Sequence, residues 1–489
     1  MYTYRKMIAM AVAIAGVFVV SCQKEQDFSY GPVEEVTIGL EETSYSVVQL
    51  GRLHIAPTIS LEGSKDASYT YKWSAFLENG EEKPVVLSID RILDVEVALT
   101  PNTYKLKLEV KNEKTGVTTL GLYDLIVNGA FYEGWFVANN KDGHGVLSFI
   151  REDDAVYLDP LKDAYDMTFD QPVVSVQPYV NSIYDFKQVL FFTESNAYRF
   201  NPDDLVKVSN TSDIFDGPHT FGPGIAYGLD GNDIDQYLIN HGDIYVSMGP
   251  LFGIDEAFGT YSARLSGDYD LYPAIIKTTP FNGFETYFYD NKNKHFKVIY
   301  YLDRTLYDAQ SSPSGLFDLS NVGMTMVGMD IGPASYQFIP PSTLEAVQVN
   351  YFVMQDDNGT RYLYALSGTT PEMKQEIHNS PGIAEAGCFA TLTTAKLMYY
   401  GTGRQVYVYD MLANTSRLLY TFPAGSVVKD LKIDREKNEE RLVAAVNTAN
   451  AGEVYYFDLA NTGDFVGSTF TNRFTGFGEI IELNYRKSN

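Results

Sequence analysis

Cysteine is nearly missing from this sequence: Cys22 and Cys388 are the only two in 489 residues. Cys388 lies in the apolar run AGCFATL, the setting of a small buried thiol, so no disulfide is expected and stability must come from packing. Basic residues are also scarce, with 37 Lys and Arg against 63 Asp and Glu, a net charge of −26. A field of that sign repels nucleic acid and anionic headgroups and favours solubility. Histidines are few and scattered: His54, His144, His219, His241, His295 and His378 never fall into a His-x-His or His-Glu-x-x-His spacing, which removes support for a helix-borne zinc site. There is no Gly-x-Ser-x-Gly elbow and no phosphate loop ending in Gly-Lys-Ser or Gly-Lys-Thr. No catalytic motif can be read, no cofactor is implied, and after residue 22 no stretch approaches a membrane span.

What is present begins with the first 22 residues. Arg5 and Lys6 precede an uncharged apolar run from Met7 to Val20, closed by Val19-Val20-Ser21-Cys22. That run, about 14 residues at ~1.5 Å each, reaches only ~21 Å, so residues 1–21 read as a secretory signal rather than a span. Val-Val-Ser-Cys resembles a bacterial lipobox, which implies acylation of Cys22 and a mature chain that starts there. Residues 22–32 are polar and acidic without apolar periodicity and read as a flexible tether. Glu25 and Asp27, close behind the cysteine, are similar to the surface-export signals of Bacteroidetes lipoproteins, which implies outward display from the outer membrane.

Residues 33–128 carry strand signals at short intervals. In NTYKLKLEVKN, Tyr104, Leu106, Leu108 and Val110 alternate with Lys105, Lys107 and Glu109, giving one apolar face and one wet face. Tyr69, Tyr71 and Trp73 line one side of a second strand, and Leu93, Val95, Val97 and Leu99 one side of a third. The rhythm predicts a sandwich of about seven strands. The tryptophan strand paired with the Tyr-x-Leu-x-Val strand resembles the PKD-type immunoglobulin-like domain, although the usual glycine-aspartate turn is absent. The resemblance implies a spacer or adhesion module.

From 129 to 489 the pattern becomes a repeat of roughly 45 residues, the size of a propeller blade. Aromatic hairpins such as GWFVANN, ETYFYDNKNKHFKVIYYLD and KLMYYGTGRQVYVYDM resemble the strand pairs of WD40-like propellers, without their Gly-His and Trp-Asp dipeptides. About 360 residues at ~45–50 per blade predict a seven-bladed β-propeller in an all-β chain. The run GEIIELNYR, with Ile480, Glu482 and Asn484 alternating against Ile481, Leu483 and Tyr485, is expected to close the ring against Trp135, Phe136 and Val137.

Binding on such a scaffold is expected in long loops. Two stand out: the irregular third blade between Ile214 and Pro273, and the segment before Pro333 that holds Met324, Met326 and Met329 as adaptable apolar surface. Tyr227, Tyr261 and Tyr269 read as exposed loop tyrosines for a ligand or partner, whereas strand tyrosines such as Tyr289, Tyr409 and Tyr456 read as filling between blades. Asp230, Asn232, Asp233 and Asp235 space oxygens closely enough for calcium but lack the downstream bidentate Glu. Asp356-Asp357-Asn358-Gly359 is a hairpin tip. Paired carboxylates for glycoside hydrolysis require a separation that sequence does not supply.

The order lipobox, tether, PKD-like sandwich and propeller resembles the PKD-like family of Bacteroidetes surface lipoproteins. Such proteins accompany importers built from a TonB-dependent SusC-like barrel and a SusD-like lipoprotein lid. The resemblance implies an accessory binding or scaffold subunit in peptide or glycan uptake. Two other readings stay open: a propeller hydrolase or lyase acting on polysaccharide or peptide, and an adhesin for host or matrix glycoprotein. A funnel with facing carboxylates and a histidine would favour the enzyme.

Overall fold

The computed structural model describes residues 36–487 except 40–41, 62–67, 79–82, 182–185, 216–218, 223, 228–234, 249–258, 262, 280–284, 301–302, 313–314, 340–342 and 450. The signal, Cys22 and the tether lie outside the described residues, as do Asp230, Asn232 and Asp233. The chain divides into two compact units between Asn128 and Gly129. Among the described residues no helix is long and apolar enough to cross a membrane.

The first unit is a β-sandwich with nine described strands. Its larger sheet runs Ser44–Val48, Thr118–Asn128, Asn102–Asn112, Tyr69–Phe76 and Val85–Ser88 in spatial order. Two short pairs, Val36–Gly39 with Thr58–Leu61 and Arg52–Ile55 with Leu93–Glu96, complete it. The alternation expected of the 102–112 strand is realised: Tyr104, Leu106, Leu108 and Val110 are buried while Lys105, Lys107 and Glu109 are partly exposed. Trp73 stands opposite Leu108, fully buried, and its indole N–H donates to the Asp90 carbonyl at 3.1 Å. A buried indole without that acceptor would leave its N–H unpaired, so the bond is what makes tryptophan tolerable there.

The described strands of the second unit form seven antiparallel sheets. The third, in the irregular region, has three described strands and the others four. Second strands such as LFFT, YFVM and LMYY are apolar on both faces because each sheet is covered on both sides. Phe352 and Met354 pack toward the fourth sheet, while their neighbours Tyr351 and Val353 pack toward the sixth. Seven apolar clusters result, each shared by two consecutive sheets, and the last joins the seventh sheet to the first. That circular succession is the geometry of a seven-bladed propeller.

Closure is made by the C-terminal strand. Glu479–Arg486 pairs antiparallel with Gly134–Lys141 and becomes the innermost strand of the first sheet. Leu483 faces Val137 and Tyr485 faces Trp135, the two rings 4.9 Å apart. The expected alternation is corrected at one point, where Ala138 pairs with Glu482 but Asn139 with Ile480. The extra residue, Ile481, forms a bulge that carries Ile480 to the same side as Leu483, against the seventh sheet, and turns Ile481 toward the second.

Candidate functional site at the ring axis

The inner strands of the seven sheets are Glu479–Arg486, Val173–Asn181, Ala226–Tyr227, Ile276–Lys277, Thr325–Ile339, Cys388–Thr391 and Val427–Ile433. In VVKDLKI, Val428, Leu431 and Ile433 enter the core shared by the sixth and seventh sheets. Asp430 and Lys432 project from the other side, toward the inner strands of other blades. Four charged groups meet there: Asp330, Asp430, Lys432 and Glu482. Lys432 Nζ stands 3.6 Å from Asp430 Oδ2 and retains 37% of its side-chain exposure, whereas Asp430 retains 15%.

Each carboxylate is tied to a backbone N–H of the next blade. Asp430 in the seventh sheet accepts from Leu483 N of the first at 3.1 Å. Glu482 in the first sheet accepts from Val176 N of the second at 3.1 Å, from Ser175 Oγ at 2.7 Å and from Gln177 Nε2 at 3.0 Å. Asp330 in the fifth accepts from Thr391 N of the sixth at 2.7 Å. Inner strands do not hydrogen-bond to one another as a sheet would, so their facing N–H groups need acceptors, and these side chains provide them. Arg435 adds a staple: it reaches Asp330 at 3.1 Å and Glu439 at 2.6 Å, and Glu439 receives the N–H and hydroxyl groups of Thr393 and Thr394.

Burial pushes the Glu482 carboxyl above its usual range, against the opposing pull of Lys432 and the Ser175 and Val176 bonds. Burial also works to lower the Lys432 ammonium, but Asp430, Glu482 and Asp330 outweigh it, so its proton is held more firmly than usual. The amine therefore stays charged at neutral pH. The arrangement presents one cation among hydrogen-bonded carboxylates. None of the six histidines belongs to this cluster. No group of three or more His, Cys, Asp or Glu among the described residues is placed to hold a metal ion.

The loop residues singled out from sequence do not converge on this axis. Tyr261 is fully buried between the second and third sheets, its ring 5.4 Å from Phe215, and is not an exposed tyrosine. Tyr269 is only 6% exposed: its hydroxyl donates to the Leu265 carbonyl at 2.6 Å and Arg264 lies 4.5 Å over its ring. Burial pushes its phenol up to about 12. Both are corrected for one reason: blades diverge outward from the axis, and large rings from connecting loops fill the wedge between them. Tyr227 closes the short strand Ala226–Tyr227, and Asp235 opens the strand Asp235–Asn240. Met326 is 1% exposed and is filler between the fourth and fifth sheets, while Met324 and Met329 pack on the same core and are only partly buried.

Sequence reading missed Asp330, Asp430, Lys432 and Arg435 as a group, and took Glu482 only as part of the closing strand. For Asp330, Asp430, Lys432 and Glu482 the signal was charge inside otherwise apolar strands, whereas Arg435 lies in the turn after Val427–Ile433. A second missed signal is Asn at the end of second strands. Asn140 clasps Val173, Asn291 clasps Met326 and Asn447 clasps Ile480, each giving its amide N–H to the backbone carbonyl and accepting the backbone N–H of the next inner strand.

Residues 26–171 match the profile of the PKD-like family, a span that covers the sandwich and runs into the first sheet of the propeller. Among curated protein sequences none matches the chain. Several solved structures are distantly similar to the chain. A quinonprotein alcohol dehydrogenase-like protein from Bacteroides thetaiotaomicron is 10% identical, with 92% of this chain and 99% of that one covered and a TM-score of 0.41. A DUF4784 family protein from Bacteroides caccae is 9% identical over 78% and 95%, with a TM-score of 0.34. PorZ, a surface component of the type-IX secretion system of Porphyromonas gingivalis, is 11% identical over 75% and 51%, with a TM-score of 0.17.

Proposed function

We propose that this chain is a non-enzymatic lipoprotein, anchored through Cys22 in the outer membrane and displayed at the surface. In this reading it serves as an accessory binding or scaffold subunit beside a TonB-dependent SusC-like barrel and its SusD-like lid, in uptake of peptide or glycan. The observation that carries the reading is the order of parts: a lipobox, an acidic tether, a sandwich inside the span matching the PKD-like family, and then a propeller. The axial carboxylates support a non-catalytic role, since each accepts backbone N–H groups that hold neighbouring blades in place. The test is a gentle detergent pull-down of the tagged protein from its native membrane with mass spectrometry. Co-purification of a barrel and lid is the expected result, and a protein that comes down alone would remove the importer assignment.

A second reading, a propeller hydrolase or lyase, draws on the gathering of Asp330, Asp430 and Glu482 around Lys432. Turnover of glycans or peptides by the purified chain, abolished by Asp430→Asn with the fold retained, would establish it.

A further inference from the structure

The outer face of the five-stranded sheet in the sandwich breaks the usual pattern of a wet surface. On Thr118–Asn128, Leu120, Leu122 and Ile126 point outward with 61%, 58% and 38% of their surface exposed. The next strand sets Lys107 opposite Leu122 and Lys105 opposite Asp124, with Lys111 further along the same face. Lys72 follows on the third strand, opposite Glu109. Four lysines thus stand beside a column of three large aliphatic groups. The carboxylates on or beside this face are Glu109, Glu113 and Asp124, all paired to those lysines, and Glu78, close enough for its charge to act on Lys105. In a chain of net charge −26, four lysines against four carboxylates leave this face locally neutral.

We propose that this face docks on the lipid bilayer, with Leu120, Leu122 and Ile126 entering the boundary of headgroups and acyl chains and the lysine ammonium groups lying at headgroup level. The inference rests on the lipid anchor of the proposed function. From Cys22 to Val36 the chain reaches at most about 50 Å when extended, so the anchor keeps the sandwich close to the membrane. Three half-exposed aliphatic side chains bind a bilayer only weakly by themselves, but a tether of that length raises the effective concentration to the millimolar range, where weak docking is populated. Lysine suits the rim of such a contact because its methylene stem tolerates the apolar side while the charged head meets phosphate. The net negative charge of the rest of the chain is screened beyond about 8 Å at physiological salt, so it does not oppose the final approach of this neutral face.

The test uses the full chain from residue 23, without acyl groups, floated with vesicles of phosphatidylethanolamine and phosphatidylglycerol. We expect measurable partitioning that falls about tenfold in Leu120→Gln/Leu122→Gln/Ile126→Thr. Leu122→Trp in the otherwise unchanged chain supplies a second readout, a blue shift of indole emission on adding vesicles. No flotation of the parent chain, equal flotation of the triple variant, or an unshifted Trp spectrum would each overturn the proposal; so would capture of a protein by this face without lipid binding. Because the assay omits the acyl chains, its failure is separate from failure of the anchor, which is read by membrane fractionation of Cys22→Ala.

Discussion

Removing the Arg486 side chain should loosen the closed ring more than any other single truncation in the last strand. Arg486 is 2% exposed, donates to Asp203 Oδ1 at 2.6 Å and to the Pro202 carbonyl at 2.9 Å, and also bonds the Phe131 carbonyl. It thereby joins the closing strand to the second sheet and to the chain entering the first. The pair is lopsided: burial lowers the guanidinium more than Asp203 restores it, while the Asp203 carboxyl is held below its usual range because Arg486 and Lys187 outweigh the burial that would raise it. A guanidinium stays charged at any pH a protein survives, so the carboxylate shift is the one with consequences. Breaking a buried pair costs about 3–5 kcal/mol. In Arg486→Ala, Lys187 at 2.5 Å still pairs Asp203, which favours the lower end, but two carbonyls lose their donor. A loss of about 4 kcal/mol lowers the melting temperature of a unit this large by roughly 5 °C or more. Calorimetry at pH 7 on the chain from residue 23 reads it, and Arg486→Lys, which keeps charge but not the fork, should fall between. The sign with pH follows from the depressed Asp203: its contribution is complete above the unfolded value of about 3.9 and is lost as pH falls through the lower folded value. Arg486→Ala should therefore flatten the acid limb of stability. A variant melting within a degree of the parent would refute the role assigned to this residue.

Three other outcomes follow from the same structure. Asn140→Ala, Asn291→Ala and Asn447→Ala should each cost about 2 kcal/mol in denaturant unfolding, and their effects should add because the clasps share no partners; markedly unequal or non-additive losses would mean that the repeat is not one device. With Cys22 absent, Cys388 should resist a disulfide reagent at pH 8 until the chain unfolds, since burial pushes its thiol up to about 12; prompt labelling of native protein would contradict that burial. Lys432→Met should destabilise the propeller at pH 7 and make it more stable as pH falls from 8 to 5, because Glu482, already raised by burial, rises further without its cation and a raised carboxyl favours the folded state in acid; a flat profile would separate Lys432 from Glu482.

Much of the fold was legible because it is written in period. The two-residue alternation of Tyr104 to Val110 and the recurrence of aromatic hairpins both survive as strands and sheets, and the GEIIELNYR run pairs where its apolar residues suggested. Illegible parts depend on three dimensions. A single bulge at Ile481 reassigns Ile480 without any change in composition. Tyr261 and Tyr269 sit among glycines and aspartates, the grammar of an exposed loop, yet the wedge between blades takes them in. Asp330, Asp430 and Glu482 lie on three inner strands separated by up to 152 positions in sequence, and only the ring places each beside the backbone N–H groups of the next blade. The recurring Asn was visible in YDN, VANN and AAVN, but its meaning needed the neighbouring strand.

The placement of Glu479–Arg486 at the heart of the first sheet also sets an order of events. Chain growth proceeds from the amino terminus, so Gly134–Lys141 emerges some 340 residues before its inner partner. Until then Trp135, Val137 and Ile150 on one side, and Val443 and Tyr456 on the other, lack the strand that joins them. Closing so large a loop adds little to the equilibrium cost but makes the last step slow. A product cut short by even a dozen residues leaves an apolar seam from rim to axis. Completeness of the closing strand is thus checked by the fold itself, and a cell that degrades sticky chains would keep only copies that carry it.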